Sequence, residues 1–139
     1  PMQWDVTKYA GFSAEDSAEP WIAVNGNHTK INAADQLKDE DSIFHYYQKL
    51  IALRKELDVI AYGDIQPLAQ KDPCVFAYRR TYKGHELIMA ANFYGRVCQW
   101  KDAPDVAGYK CVIGNYKDVK TPEGTVWTLR PYEAVVWYK

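Results

Sequence analysis

The sequence predicts a mainly β chain: an antiparallel β-sandwich preceded by a loop and one long helix. Three observations carry this. Residues 1–40 are rich in Ser, Asn, Asp, Gly and Pro, residues whose side chains and backbone preferences favour turns. Residues 42–57 carry apolar side chains at a spacing of three and four, the signature of an amphipathic helix. From residue 62 onward, short alternating runs are separated by turn residues, the pattern of a sandwich.

Within the loop stretch a short helix is expected at Ala33–Leu37. Asn32 is a good N-cap, and Asp35 sits three residues on, close to a capping box. In the next stretch Ile43, Tyr46, Leu50, Leu53 and Leu57 form the stripe, and Phe44, Tyr47 and Ile51 widen it. So wide an apolar face needs a partner surface. Asp39, Glu40 and Asp41 crowd its start, while Arg54 and Lys55 sit near its end; both placements complement the helix dipole. Asp41 or Ser42 would cap it.

The strand region begins with Cys74–Tyr82, where Phe76, Tyr78, Arg80 and Tyr82 share a face. Lys83-Gly84 is a turn. Glu86–Phe93 follows, with apolar residues on both faces, which predicts a central strand. Shorter strands are expected at Arg96–Lys101, Tyr109–Ile113, Thr125–Leu129 and Glu133–Tyr138. Gly95, Pro104, Gly108, Gly114-Asn115, Pro122-Glu123-Gly124 and Pro131 punctuate them.

Composition excludes several functions. The chain has 139 residues and a net charge of −1, which leaves no electrostatic footprint for nucleic acid or an anionic membrane. No apolar run approaches the roughly 20 residues of a membrane helix. The three cysteines, Cys74, Cys98 and Cys111, are widely spaced and odd in number. Buried reduced thiols and a cytoplasmic home are the expectation. The opening Pro1-Met2-Gln3-Trp4-Asp5 is neither a signal peptide nor a natural translation start, so the chain is expected to be processed or cut from something longer.

Chemistry-bearing motifs are absent. Glu56, Asp58, Asp16 and Glu19 have no catalytic context and read as surface carboxylates. His28, His45 and His85 form no metal-ligand pattern, so no metal is expected. Nucleophile elbows and phosphate loops are also missing. Gln3, Trp4, Trp21, Asn25 and Asn27 are of the types a sugar site uses, flat faces for stacking and amides for hydroxyl groups. On composition alone, packing and turn roles are the favoured reading of them.

Their order, however, resembles a known family. Pro1-Met2-Gln3-Trp4-Asp5, then Ala10-Gly11-Phe12, Pro20-Trp21-Ile22, Val24-Asn25, Ile31-Asn32 and the run Asp41–Lys55 follow the oligo-1,6-glucosidase group of glycoside hydrolase family 13. That group includes dextran glucosidase and trehalose-6-phosphate hydrolase. Ala90-Ala91-Asn92-Phe93 and Leu129-Arg130-Pro131-Tyr132-Glu133-Ala134 continue the resemblance to the end.

The resemblance implies a (β/α)8 barrel followed by a C-terminal sandwich. Residues 1–61 would be the end of the catalytic barrel, its last βα loop and eighth helix; residues 62–139 would be the C-terminal β-sandwich domain. It implies an intracellular retaining α-glucosidase of which this chain is the C-terminal fragment. Such an enzyme holds two carboxyl groups about 5 Å apart. In the family these groups lie upstream of Pro1, so no catalytic residue is expected here. Gln3 and Trp4 are the expected substrate-binding residues, lining or supporting the pocket rim. The implied partners are the rest of the barrel and the oligosaccharide substrate; no cofactor is implied. Two other readings stay open. One is a carbohydrate-binding sandwich with Trp100, Trp127 and Trp137 as its platform. The other is self-association through the apolar helix face.

Overall fold

A computed structural model describes all residues, 1–139. The chain divides into two compact units, Pro1–Lys49 and Leu50–Lys139.

The first unit is mostly turns. Its regular elements are α1 (Ala33–Gln36) and the first half of α2 (Ile43–Glu56). Asn32 caps α1 as expected: its Oδ1 accepts from the Asp35 amide at 2.9 Å. Ser42 ties the start of α2 to the end of α1. Its hydroxyl donates to the Gln36 carbonyl at 2.7 Å and accepts from the His45 amide at 3.3 Å. The expected helix is thus present, but its stripe is not buried within this chain. No residue of α2 is buried, and Ile43 is 75% exposed.

The second unit contains α3 (Asp58–Tyr62) and seven strands: β1 (Asp64–Leu68), β2 (Val75–Tyr82), β3 (His85–Asn92), β4 (Cys98–Trp100), β5 (Lys110–Gly114), β6 (Trp127–Leu129) and β7 (Ala134–Tyr138). All pairings are antiparallel. One sheet has the order β1-β2-β3-β7-β5, and β4-β6 forms the second. β3 is central, as its two apolar faces predict. Lys83 and Gly84 both take positive φ, +48° and +83°, which lets a two-residue turn match the twist of the β2–β3 hairpin.

The alternation sorts the large sheet into two faces. Val75, Ala77, Ile88, Ala90, Val135 and Trp137 point into the core, where Cys98, Trp100, Trp127 and Leu129 of the small sheet meet them. Phe76, Tyr78 and Arg80 are on the opposite face. There α3 packs over part of β2 and β3, and Arg80 Nη2 donates to the Gly63 carbonyl at 2.6 Å. Phe76 and Phe93 stay more than half exposed, in edge-to-face contact at 6.2 Å.

Two elements lie outside the expected set. α3 is one short turn, too brief to show a period. β1 contains Pro67 and four exposed residues of five, so it has no alternation; it is an edge strand, where a proline is tolerated. The cysteine expectation also needs correction. Cys74 and Cys98 are disulfide-bonded, with Cα atoms 6.2 Å apart, while Cys111 is free. The fold brings the approach to β2 against β4, a proximity that a sequence separation of 24 hides.

Candidate functional site

The sugar-type residues of the first unit lie in one hydrogen-bonded loop. Backbone bonds lay residues 3–5 against two other segments. The Trp4 amide donates to the Ala10 carbonyl at 2.8 Å, and the carbonyls of Gln3 and Trp4 accept from Ala33 and Ala34 at 2.9 Å each. Gln3 completes the knot. Its Nε2 donates to Asn27 Oδ1 at 2.8 Å and to the Ile31 carbonyl at 2.7 Å. Both amide hydrogens are therefore spent inside the loop.

Asp5 closes the adjoining turn. Its Oδ1 accepts from the Thr7 amide at 2.9 Å and hydroxyl at 2.5 Å. These bonds hold its carboxyl below the usual aspartate range. Gly11, at φ +64°, packs so close that a Cβ there would lie 2.7 Å from Asp5 Oδ2; the position requires glycine on both counts. Asn32 is buried and does more than cap. Its Nδ2 donates to the His28 carbonyl at 3.0 Å and to Asp35 Oδ2 at 2.9 Å. The hydrogen bond from Asn32, then that from Lys38, lowers the Asp35 pKa.

Aromatic rings are among the side chains presented outward. Trp4 is half exposed, Phe12 likewise, and Trp21 is 95% exposed. The loop thus offers flat faces on a hydrogen-bonded frame. Asp5 and Asp35 both have lowered pKa values, opposite to the raised pKa an acid catalyst needs. No cluster of three His, Cys, Asp or Glu side chains could hold a metal ion.

The structure therefore separates the two predicted site residues. Gln3 points into the loop, while Trp4 presents ring surface. The link from Gln3 to Asn27, across 24 residues, has no signature in the sequence; only the shared amide chemistry hinted at it.

The sandwich platform is corrected. Trp100, Trp127 and Trp137 are buried at 4%, 1% and 2% exposure, and so offer no face to a sugar. Trp100 and Trp127 pack edge to face at 5.2 Å, and Trp127 Nε1 donates to the Pro104 carbonyl at 3.1 Å. Alternation along β4 and β6 placed them inward, where the two sheets meet.

Comparison with known proteins bears on the whole chain. The family described as "Alpha amylase, catalytic domain" matches residues 1–63. The oligo-1,6-glucosidase of Halalkalibacterium halodurans is 42% identical over 139 residues, covering 99% of this chain and 24% of its own length. The trehalose-6-phosphate hydrolase of Escherichia coli K12 is 38% identical over 137 residues, again covering 99% and 24%. Among solved structures, trehalose-6-phosphate hydrolase of Bacillus licheniformis superposes with a TM-score of 0.86 at 39% identity, covering 99% of this chain and 25% of that one. This chain spans about a quarter of the length of these relatives. No helix is long and apolar enough to cross a membrane.

Proposed function

This chain belongs to the α-amylase family, and we propose that it is the C-terminal quarter of a retaining α-glucosidase that cleaves terminal α-glucosidic bonds of short oligosaccharides. The observation that carries this reading is the end-to-end match, 99% of this chain against 24% of an oligo-1,6-glucosidase. On this reading residues 1–61 complete the catalytic barrel, which the catalytic-domain match over residues 1–63 supports. Residues 62–139 are the accessory sandwich. The uncovered α2 stripe is a surface for the rest of the enzyme, in a cytoplasmic setting.

The catalytic carboxylates belong to the part of the enzyme outside this chain. The first unit contributes the rim of the substrate pocket. Trp4 supplies an aromatic face there, and Gln3 acts one step back as a positioning residue. Its two hydrogen bonds hold residues 27–31 against residues 3–5, fixing the angle at which the Trp4 ring is presented. Preorganisation of this kind matters because small misplacements of binding groups cost rate steeply.

The test has two arms. The 139-residue chain alone should not turn over an aryl α-glucoside, while the longer gene product containing it should. Turnover by the chain alone overturns the assignment of the carboxylates. Absence of turnover from the longer product, across isomaltose, dextran and trehalose 6-phosphate, overturns the activity.

A further inference from the structure

The sandwich carries a pair of cysteines that the proposed activity does not use. Cys98 is the first residue of β4 in the small sheet and is 4% exposed. Cys74 stands just before β2 of the large sheet, half-buried. It borders an open depression lined with Leu68, Asp72, Phe76, Phe93 and Tyr94. Their Cα separation of 6.2 Å lies within the range a disulfide spans without backbone movement. The bond joins the approach to β2 to the first residue of β4.

Both redox states have a place in this fold. Asn92 Oδ1 lies 3.3 Å from the Cys98 sulfur and 3.8 Å from the Cys74 sulfur, so it accepts from both thiols when they are reduced. Asn92 itself stays fixed, since its Nδ2 donates to the carbonyls of Arg96 and Arg130 at 2.7 and 2.8 Å. The core beside the pair, with Trp100, Trp127 and Ile88, joins the two sheets by burial without help from the sulfurs. Reduction therefore removes a clasp without dissolving the sandwich.

We infer that Cys74 and Cys98 form a reversible redox modification site whose co-substrate is a low-molecular-weight disulfide of the glutathione class. Cys74, reachable from the depression, attacks the small disulfide as a thiolate. A mixed disulfide forms on Cys74 and one small thiolate leaves. The Cys98 thiolate then attacks the Cys74 sulfur, and the second small thiolate departs. Two protein thiols are oxidised, one small disulfide is reduced to two thiols, and two protons pass between them. Cys111 takes no part: it lies on β5, where burial raises its pKa and so disfavours the reactive thiolate. The inference is independent of the glucosidase reading.

The experiment equilibrates the chain in mixtures of reduced and oxidised glutathione, blocks free thiols by alkylation and reads the intact mass. Excess oxidised glutathione should leave one alkylated cysteine, and millimolar reduced glutathione should restore three. Reduction should lower Tm by roughly 10 °C, as expected for opening a loop of this length. Cys98→Ser should accumulate a glutathione adduct on Cys74, whereas Cys74→Ser should leave Cys98 unmodified. Three alkylated cysteines under oxidising conditions overturn the proposal, as does a bond that survives reduced glutathione in the folded chain. The mass readout uses the native chain, so failure of a serine variant to fold does not remove the test.

Discussion

The two units of this chain are ordered by different forces. Residues 1–42 bury little, and their most exposed aromatics face outward; their shape rests on amide and hydroxyl hydrogen bonds from Gln3, Asp5, Asn27, Asn32 and Ser42. The sandwich rests on burial, with three tryptophans and the inward faces of β2, β3 and β7. A hydrogen bond nets about 1 kcal/mol, whereas a buried tryptophan contributes several times that. The loop is thus a hydrogen-bonded frame that presents Trp21 to solvent, and the sandwich is a packed core whose three tryptophans are closed to it.

The largest expected effect probes the sandwich. Trp127→Ala removes a side chain that is 1% exposed, edge-packed on Trp100 and hydrogen-bonded to Pro104. It should cost about 3–5 kcal/mol in denaturant unfolding. Amides of the first unit, followed by hydrogen exchange, should keep their protection at low denaturant. Equal loss of protection at Ala33 and Ala34 would show that one force orders both regions, ending the contrast.

Next comes the charged cluster built on the buried Glu133. Burial of Glu133 pushes its pKa up, but hydrogen bonds from the Arg130 side chain and amide outweigh this and hold it below 4.5. A lowered folded pKa stabilises at pH above the unfolded value and ceases to do so as pH falls through the folded one. Sandwich stability should therefore drop on acidification below about pH 4.5. Glu133→Gln should cost about 1–2 kcal/mol at neutral pH and flatten that drop. An unchanged acid slope in the variant would remove Glu133 from the account.

In the loop, Gln3→Ala loses both inward bonds, at a cost of about 1 kcal/mol. Exchange at Lys30 and Ile31 should accelerate roughly fivefold, with the sandwich's Tm unchanged. If Gln3 contacts substrate directly, KM of the longer enzyme should rise with no change in loop exchange. If it positions Trp4, as proposed, loop exchange and kcat change together.

Legibility in the sequence followed the same division. Strands β2 and β7 could be read within one or two residues because burial alternates along them, and β3 because both its faces are apolar and largely buried. β1 could not, since it is an exposed edge interrupted by Pro67, and α3 is too short to have a period. The α2 stripe was legible as apolar, but the sequence carries nothing to cover it. In the site, Asn32 was readable because a cap acts three residues away. The inward aim of Gln3 was not, because it depends on Asn27 and Ile31. The cysteine pairing was hidden for the same reason: it is set by which strands the topology brings together.

The smallest effect tests whether charge contributes to the loop at all. Lys38 lies 3.3 Å from Asp35, but both side chains are about half exposed or more. An exposed pair gains little in water and loses side-chain entropy on pairing. The Asp35 pKa is lowered first by Asn32 and only then by Lys38. Lys38→Ala should therefore leave thermal unfolding unchanged within error and insensitive to added salt. Its one visible consequence should be a small upward movement of the Asp35 titration, followed by carboxyl NMR. Asn32→Ala, which removes the cap and a buried donor pair, should move that titration further and release α1. A larger effect from Lys38 than from Asn32 would mean that ion pairing, and not amide hydrogen bonding, holds this frame.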